Sequence, residues 1–422
     1  MTGEQRSGGD LLIRDARIVT APPGEGYRRG RELGQLEVWR RADILVLDGV
    51  IREVGPGLVP PGFVPEVRAE GRVVLPGLVD AHTHACWAGS RIEEWGRRLG
   101  GASYAEILGK GGGILSTVAA VRESSEVMLA AALRVRLGWL LEEGTTTVEV
   151  KSGYGLDTET ELRMLRAIGR AAADWPGTVV PTACLGHALD PDQVDPVETV
   201  IHETLPAVSR EFPGIAIDAY CEEGAWSLND CLRLFDAARE RGHRIRVHAD
   251  QFNSLGMIPE AVRRRFDSVD HLEATTPVDL GVLARSATAG VLLPISGFHL
   301  DDRYAHGRTL VDGGGAVVVA TNWNPGSAPS PSLPLAAALA VRKCGLTPTE
   351  ALASITANPA VLLGEPERGR IGPGRPADLV LLRHRDEREL VHTMGGSPVA
   401  LVVCGGRVVA GPMAKGVGHN VT

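Results

Sequence analysis

The feature that most constrains this chain is an alternation of short apolar strands with amphipathic helical segments through its middle. Strand candidates fall at 73–79, 146–150, 178–182, 216–220, 245–249, 268–270, 290–294 and 316–321, with helical patterns such as 159–173 and 230–241 between them. Strands that are apolar throughout and separated by helices bury both faces and pair in parallel through helical crossovers. Eight of them in roughly 290 residues predict an α/β fold, a (β/α)8 TIM-like barrel over 76–365. At 422 residues the chain is too long for that barrel alone. Its two ends have a different texture. Ile44 to Leu47 runs into Asp48-Gly49 and then Val50-Ile51, and 399–403 turns at Gly405-Gly406 into Val408-Val409. Asp-Gly and Gly-Gly between apolar runs signal tight hairpins. The ends, 1–75 and 366–422, are therefore expected to pair into one small β-sandwich domain.

Composition narrows the function class. The net charge is −8 and aromatics are only 4%, so neither the basic footprint nor the stacking platforms of a nucleic-acid binder are present. No apolar run is long enough to span a membrane, and the first residues lack the apolar segment of a secretory signal. Six cysteines (Cys86, Cys184, Cys221, Cys231, Cys344 and Cys404) are scattered without a CxxC pair. They fit reduced thiols, and the expectation is a cytoplasmic enzyme. A Gly-rich stretch, Leu108-Gly109-Lys110-Gly111-Gly112-Gly113, lacks the hydroxyl residue and preceding strand of a phosphate loop.

In a parallel barrel the reactive groups sit at the C-terminal ends of the strands. The first strand ends in PGLVDAHTH, 76–84, which delivers His82 and His84. Residues i and i+2 of a strand share a face, so both imidazoles can enter one cavity and offer nitrogen to a divalent metal. A bare HxH is otherwise common on surfaces. Three further strand ends point the same way: Arg246-Val247-His248-Ala249-Asp250, Ser268-Val269-Asp270-His271-Leu272, and the buried 317–321 opening into Asn322-Trp323-Asn324-Pro325-Gly326.

On these residues the chain resembles the metal-dependent amidohydrolase superfamily, of the amidohydrolase barrel type, and within it the hydrolases that open the imidazolone ring in histidine degradation. The C-terminal GRIGPGRPADLVLL is a general mark. Ala88-Gly89-Ser90-Arg91, 111–117, VEVKSGYG at 148–155 and NPGS at 324–327 are more specific ones. The resemblance implies one Zn²⁺ or Fe ion held by His82, His84 and His248, with Asn322 at the fourth position. The ion would activate a water and polarise the ring carbonyl. His271, with Gln251 and Asn322, would serve catalysis. Arg91, Tyr154, His187, Gln251, Asn324, Gly326 and Ser327 would contact the substrate, a small anionic cyclic molecule. A guanidinium can clamp a propionate carboxylate with paired hydrogen bonds, which suits Arg91 independently. A homodimer is implied on the same ground, with no nucleic-acid or membrane partner.

The chain departs from the superfamily pattern at two positions. Asn322 stands where an aspartate ligates metal and shuttles a proton, and Gln251 stands where many relatives have glutamate. An amide has no basic carboxylate, so His271, Asp250, Asp270 or Glu273 would have to carry the proton. The implied reaction is hydrolysis of 4-imidazolone-5-propanoate to N-formimidoyl-L-glutamate. Asn322 leaves two alternatives: hydrolysis of another carboxylated ring (a hydantoin or thio-imidazolone), or ligand binding without turnover. Lys151, at a strand end, admits either a carboxylated lysine bridging two metals or an ion pair with Glu149.

Overall fold

The computed structural model describes residues 8–101 and 112–414; most of the Gly-rich stretch, Leu108 to Gly111, lies outside them. Two sheets organise the chain. The first takes its strands from both ends: β1 Leu11–Thr20, β2 Glu37–Leu47, β3 Val50–Gly55, β4 Glu66–Arg68 and β5 Val73–Pro76 from the front. The second takes β6 Leu78–Asp80, β7 Thr145–Lys151, β8 Thr178–Gly186, β9 Ala216–Cys221, β10 Arg246–Ala249, β11 Ser268–His271, β12 Ala289–Leu292 and β13 Val317–Val319. The chain then returns to the first sheet with β14 Leu379–Leu382, β15 Val399–Cys404 and β16 Arg407–Ala410.

The end sheet runs β16-β15-β14-β5-β1-β2-β3, with β4 alongside β1. The ends meet where β14 pairs antiparallel with β5, Val380 opposite Leu75. One face carries a core of its own, including Leu11, Ile13, Ile44, Val74, Leu381 and Leu401. Both expected hairpin turns form, and their central residues take the left-handed backbone that such turns need: Asp48 and Gly49 at φ 55° and 76°, Gly405 and Gly406 at 52° and 76°.

The barrel strands follow one another in order from β6 to β13, with all seven neighbouring pairs parallel. Closure between β13 and β6 rests on a few bonds just past the strand ends. Asn322 N donates to His82 O at 2.9 Å and His84 N to Trp323 O at 3.0 Å. Asp80 adds a third tie, accepting from Thr321 Oγ1 at 2.6 Å and from its N–H at 3.2 Å. The helices between the strands begin at side-chain caps that the strand-and-helix pattern brackets closely. Asp157 accepts from Thr160 N before Thr158–Asp174, and Ser227 from Asp230 N before Leu228–Glu240.

One expected strand divides. The segment 73–79 breaks at Gly77, with β5 in the end sheet and β6 in the barrel. A Cβ at Gly77 would lie 2.1 Å from Thr146 Oγ1 at the start of β7, so only glycine lets the chain pass from one sheet to the other here. Gly77→Ala should therefore lower unfolding stability by about 1–3 kcal/mol. Adding Thr146→Ala should recover part of the loss, and denaturant titration of the two variants measures both effects.

Candidate metal centre and the barrel mouth

His82 and His84 continue β6, and His248 lies in β10; all three are buried and their nitrogens converge within 4.8 Å of one another. Two of the rings, those of His82 and His248, are oriented from behind by carboxylates, while His84 Nδ1 is buried with no partner. His82 Nδ1 meets Asp270 Oδ2 at 2.6 Å, and His248 Nδ1 meets Asp218 Oδ1 at 2.9 Å. A carboxylate at Nδ1 keeps the proton there and leaves the Nε2 lone pair free. His82 Nε2 is buried with no partner, and the Nε2 atoms of His84 and His248 face each other at 3.1 Å. Burial, reinforced by the cationic Lys151 and neighbouring imidazoles, holds His82 and His84 well below the usual histidine range. Burial also lowers His248, against the pull of Asp218. Three neutral, convergent imidazoles with an orphaned ring nitrogen fit a divalent metal ion.

The carboxylates behind the rings belong to one buried ionic chain. Arg246 Nη2 meets Asp270 Oδ2 at 2.6 Å while its Nη1 meets Glu149 Oε1 at 2.5 Å. Lys151 Nζ lies 2.9 Å from Glu149 and 2.7 Å from Asp218. Burial works against charge on Lys151, and Arg246 opposes it too, but Asp218, Glu149 and Asp270 hold its ammonium protonated. Burial would raise the Asp218 carboxyl, yet His248, Lys151 and Arg246 keep it well below the usual range. Of the two readings of Lys151, the structure displays the ion pair: its Nζ lies between Glu149 and Asp218. Asp270 is engaged as well, by His82, Arg246 and Ser268 Oγ.

The mouth is built from strand ends that turn abruptly. Asp250, His271, Leu272 and Asn322 all take positive φ, at 57°, 94°, 75° and 54°, a conformation that costs a non-glycine residue about 1–3 kcal/mol and clusters at functional sites. The His271 ring centroid lies 5.7 Å from that of His248 and 6.1 Å from that of His82, and its Nδ1 is 3.2 Å from Glu273 Oε1. Burial pushes the Asp250 carboxyl up to about 6. Gln251 Oε1 accepts from Tyr220 Oη at 2.8 Å. His187 stacks on His84 at 4.6 Å with an 11° interplanar angle, and its Nδ1 bonds Gly153 O at 2.9 Å. Burial lowers it to about 3, so it is a neutral ring. Tyr154 packs 5.1 Å from His187 and 6.0 Å from His84.

The remaining expected contacts form a second group. Arg91 is gripped by Glu94, Nε to Oε2 at 2.6 Å and Nη2 to Oε1, and Glu94 also accepts from Gly113 N at 2.9 Å. A Cβ on Gly326 would meet Arg91 Nη1 at 2.8 Å, so that glycine makes room for the guanidinium. Asn324 uses both ends of its amide on its own loop. Its Oδ1 accepts from Gly326 N and Ser327 N, and its Nδ2 donates to Asn322 O and Ser327 Oγ. Asn324 therefore shapes the loop that carries Gly326 and Ser327. Sequence reasoning missed Asp218, Arg246, Glu94 and Ser296. A charged residue inside an apolar strand, as in AIDAYC and RVHA, was the available signal for the first two.

Removing one member of the ionic chain should expose its cost. Lys151→Met leaves Glu149 and Asp218 without their shared cation and should destabilise the fold by about 3–5 kcal/mol. Denaturant unfolding at neutral pH measures it, and a loss below 1 kcal/mol would contradict the assigned pairing.

Residues 99–410 match the amidohydrolase family. Imidazolonepropionase of Deinococcus radiodurans is 43% identical over 386 residues, covering 92% of this chain and 96% of its own. Imidazolonepropionase of Rubrobacter xylanophilus is 44% identical over 410 residues, 95% and 98% of the two chains. Among solved structures, a triazine hydrolase variant superposes with a TM-score of 0.75 at 20% identity, covering 97% of each chain. A 5-methylcytosine deaminase from Klebsiella pneumoniae gives 0.72 at 17%, over 95% and 97%. An atrazine chlorohydrolase from Arthrobacter aurescens, complexed with zinc, gives 0.69 at 20% identity, over 95% of each chain. These structures share the fold, and the close relatives share the sequence across its length: the chain belongs to the imidazolonepropionase family of the amidohydrolases.

Proposed function

We propose that this chain hydrolyses 4-imidazolone-5-propanoate to N-formimidoyl-L-glutamate in histidine degradation, using a single Zn²⁺ or Fe ion, as a cytoplasmic homodimer. The observation that carries the reading is the set of three buried, neutral imidazoles of His82, His84 and His248, in a chain over 40% identical to imidazolonepropionases. A divalent ion bound by those nitrogens would lower the pKa of a coordinated water and polarise the ring carbonyl.

The chain's own residues supply the rest. The edge of Arg91 that Glu94 leaves free pairs with the propionate carboxylate beside Gly326. Tyr154 and the neutral His187 ring form a wall against the planar substrate. His271, its Nδ1 backed by Glu273, removes the proton from the attacking water through Nε2, and Glu273 stabilises the imidazolium that results. The same group returns the proton to the ring nitrogen as the carbonyl carbon–nitrogen bond breaks. The carbonyl carbon stays on the propionate-bearing ring carbon as the new carboxylate and gives up its remaining proton, while the ring nitrogen departs from it protonated and becomes the terminal nitrogen of the formimidoyl group. Asn322 and Gln251 are neutral amides, so neither can take this proton.

Asn322 favours one second reading, a hydrolase acting on a different carboxylated ring with another leaving group. Purified protein loaded with zinc or iron, and given imidazolone propionate made in place by urocanase, should form formimidoylglutamate. Absence of turnover in metal-replete protein, with turnover of a hydantoin or thio-imidazolone, selects the second reading. Binding of the substrate without turnover of any ring selects a ligand-binding role. His82→Ala and His248→Ala should each abolish metal retention and turnover together. A stoichiometric metal in the double variant would show that the assigned centre is wrong.

A further inference from the structure

Asn322 lies beside the histidines, yet an amide is ambiguous as a metal ligand because its oxygen and NH2 ends have nearly the same shape. In the structure its NH2 end is the one that faces a neighbour. The residue follows β13 in left-handed conformation, its backbone N–H bonds the carbonyl of His82, and its side chain is buried. Nδ2 donates to Ser296 Oγ at 2.9 Å, whereas Oδ1 is buried with no partner. Ser296 is equally buried, in the helix Pro294–Leu300 that follows β12, and no step of the hydrolysis uses it. A carboxylate at position 322 would need no such neighbour. An amide brings N–H groups that are costly to bury without an acceptor, and a serine hydroxyl can accept.

We propose that Ser296 is a positioning residue: by accepting the N–H of Asn322 it fixes the amide with its oxygen free, making Asn322 a neutral oxygen donor to the cation held by His82, His84 and His248. The inference rests on the metal-dependent reading above and adds a function for a side chain outside the ligand set. The opposite orientation would turn N–H hydrogens toward a cation, which electrostatics opposes. A neutral fourth donor also leaves the centre one unit more positive than a carboxylate would.

The test is cation affinity, by chelator competition, and the visible spectrum of the cobalt(II)-loaded protein. The variants are Ser296→Ala, Ser296→Thr, Asn322→Asp and the Asn322→Asp/Ser296→Ala pair. Ser296→Ala should weaken binding about 10- to 100-fold and change the cobalt spectrum, while Ser296→Thr keeps both near wild type. With aspartate at 322 no N–H needs an acceptor and the serine hydroxyl only donates to a carboxylate, so removing it should cost less than in the wild type. Unchanged affinity and spectrum in Ser296→Ala overturn the proposal. So does an equal loss in the Asn322→Asp background, which would mark a purely structural contact. Wild-type protein that binds no cation overturns instead the metal-dependent reading beneath it, and the proposal with that reading.

Discussion

The mouth of the barrel depends on the guanidinium of Arg246. It stands at the start of β10, fully inside the barrel, and joins Asp270 to Glu149. From Asp270 the chain of contacts reaches His82; from Glu149 it passes through Lys151 and Asp218 to His248. Two cations and three carboxylates share this buried space, so it carries a net charge of about −1 when the imidazoles are neutral. Burying such a cluster is costly, and an apolar core of the same volume would serve stability as well or better. What the cluster provides is orientation. It fixes the proton on the outer nitrogen of two rings, points their lone pairs inward, and sets a partly uncompensated negative charge behind the place where a dication fits.

Such a centre needs a rigid rim, and at the rim the barrel closes through its two shortest strands. β6 and β13 are three residues each, and their junction relies on Asp80, His82, His84 and the turn at Asn322 and Trp323. The same residues that close the barrel thus include candidate ligands or flank them. Gly77 lies immediately upstream, where the chain leaves the end sheet, so the sheet anchors the short strand that delivers the HxH pair. Left-handed backbone at Asp250, His271 and Asn322 is local strain held by this framework, and it turns side chains from strand ends toward one mouth.

Much of this was legible in the sequence because it is written in local patterns. The alternation of apolar strands and helices gives the barrel, Asp48-Gly49 and Gly405-Gly406 give the hairpins, and HxH at a strand end gives two ring nitrogens on one face. The division of 73–79 at Gly77 was not legible, because both halves are apolar and only the approach of Thr146 separates them. The ionic chain was hidden for a similar reason. His82 and Asp270 are 188 residues apart, Arg246 and Glu149 97, and no spacing rule links them. A lone acid or arginine in an apolar strand announces a partner without naming it. Arg91 was readable as a candidate carboxylate clamp, but not that Glu94 already occupies one edge of it. Asn322 was visible as a departure from the superfamily; its dependence on Ser296 needed the packing of two neighbouring strand ends.

The carboxylates behind the rings would tune a cation held by His82, His84 and His248 rather than merely support the fold. The most direct measurement is the cation dissociation constant of Asp270→Asn and Asp218→Asn beside wild type, at one pH and with unfolding still cooperative. Each substitution removes the charge that fixes one imidazole while keeping the side-chain shape, and each should weaken binding about 10- to 100-fold. Affinities equal to wild type in both folded variants would contradict that role.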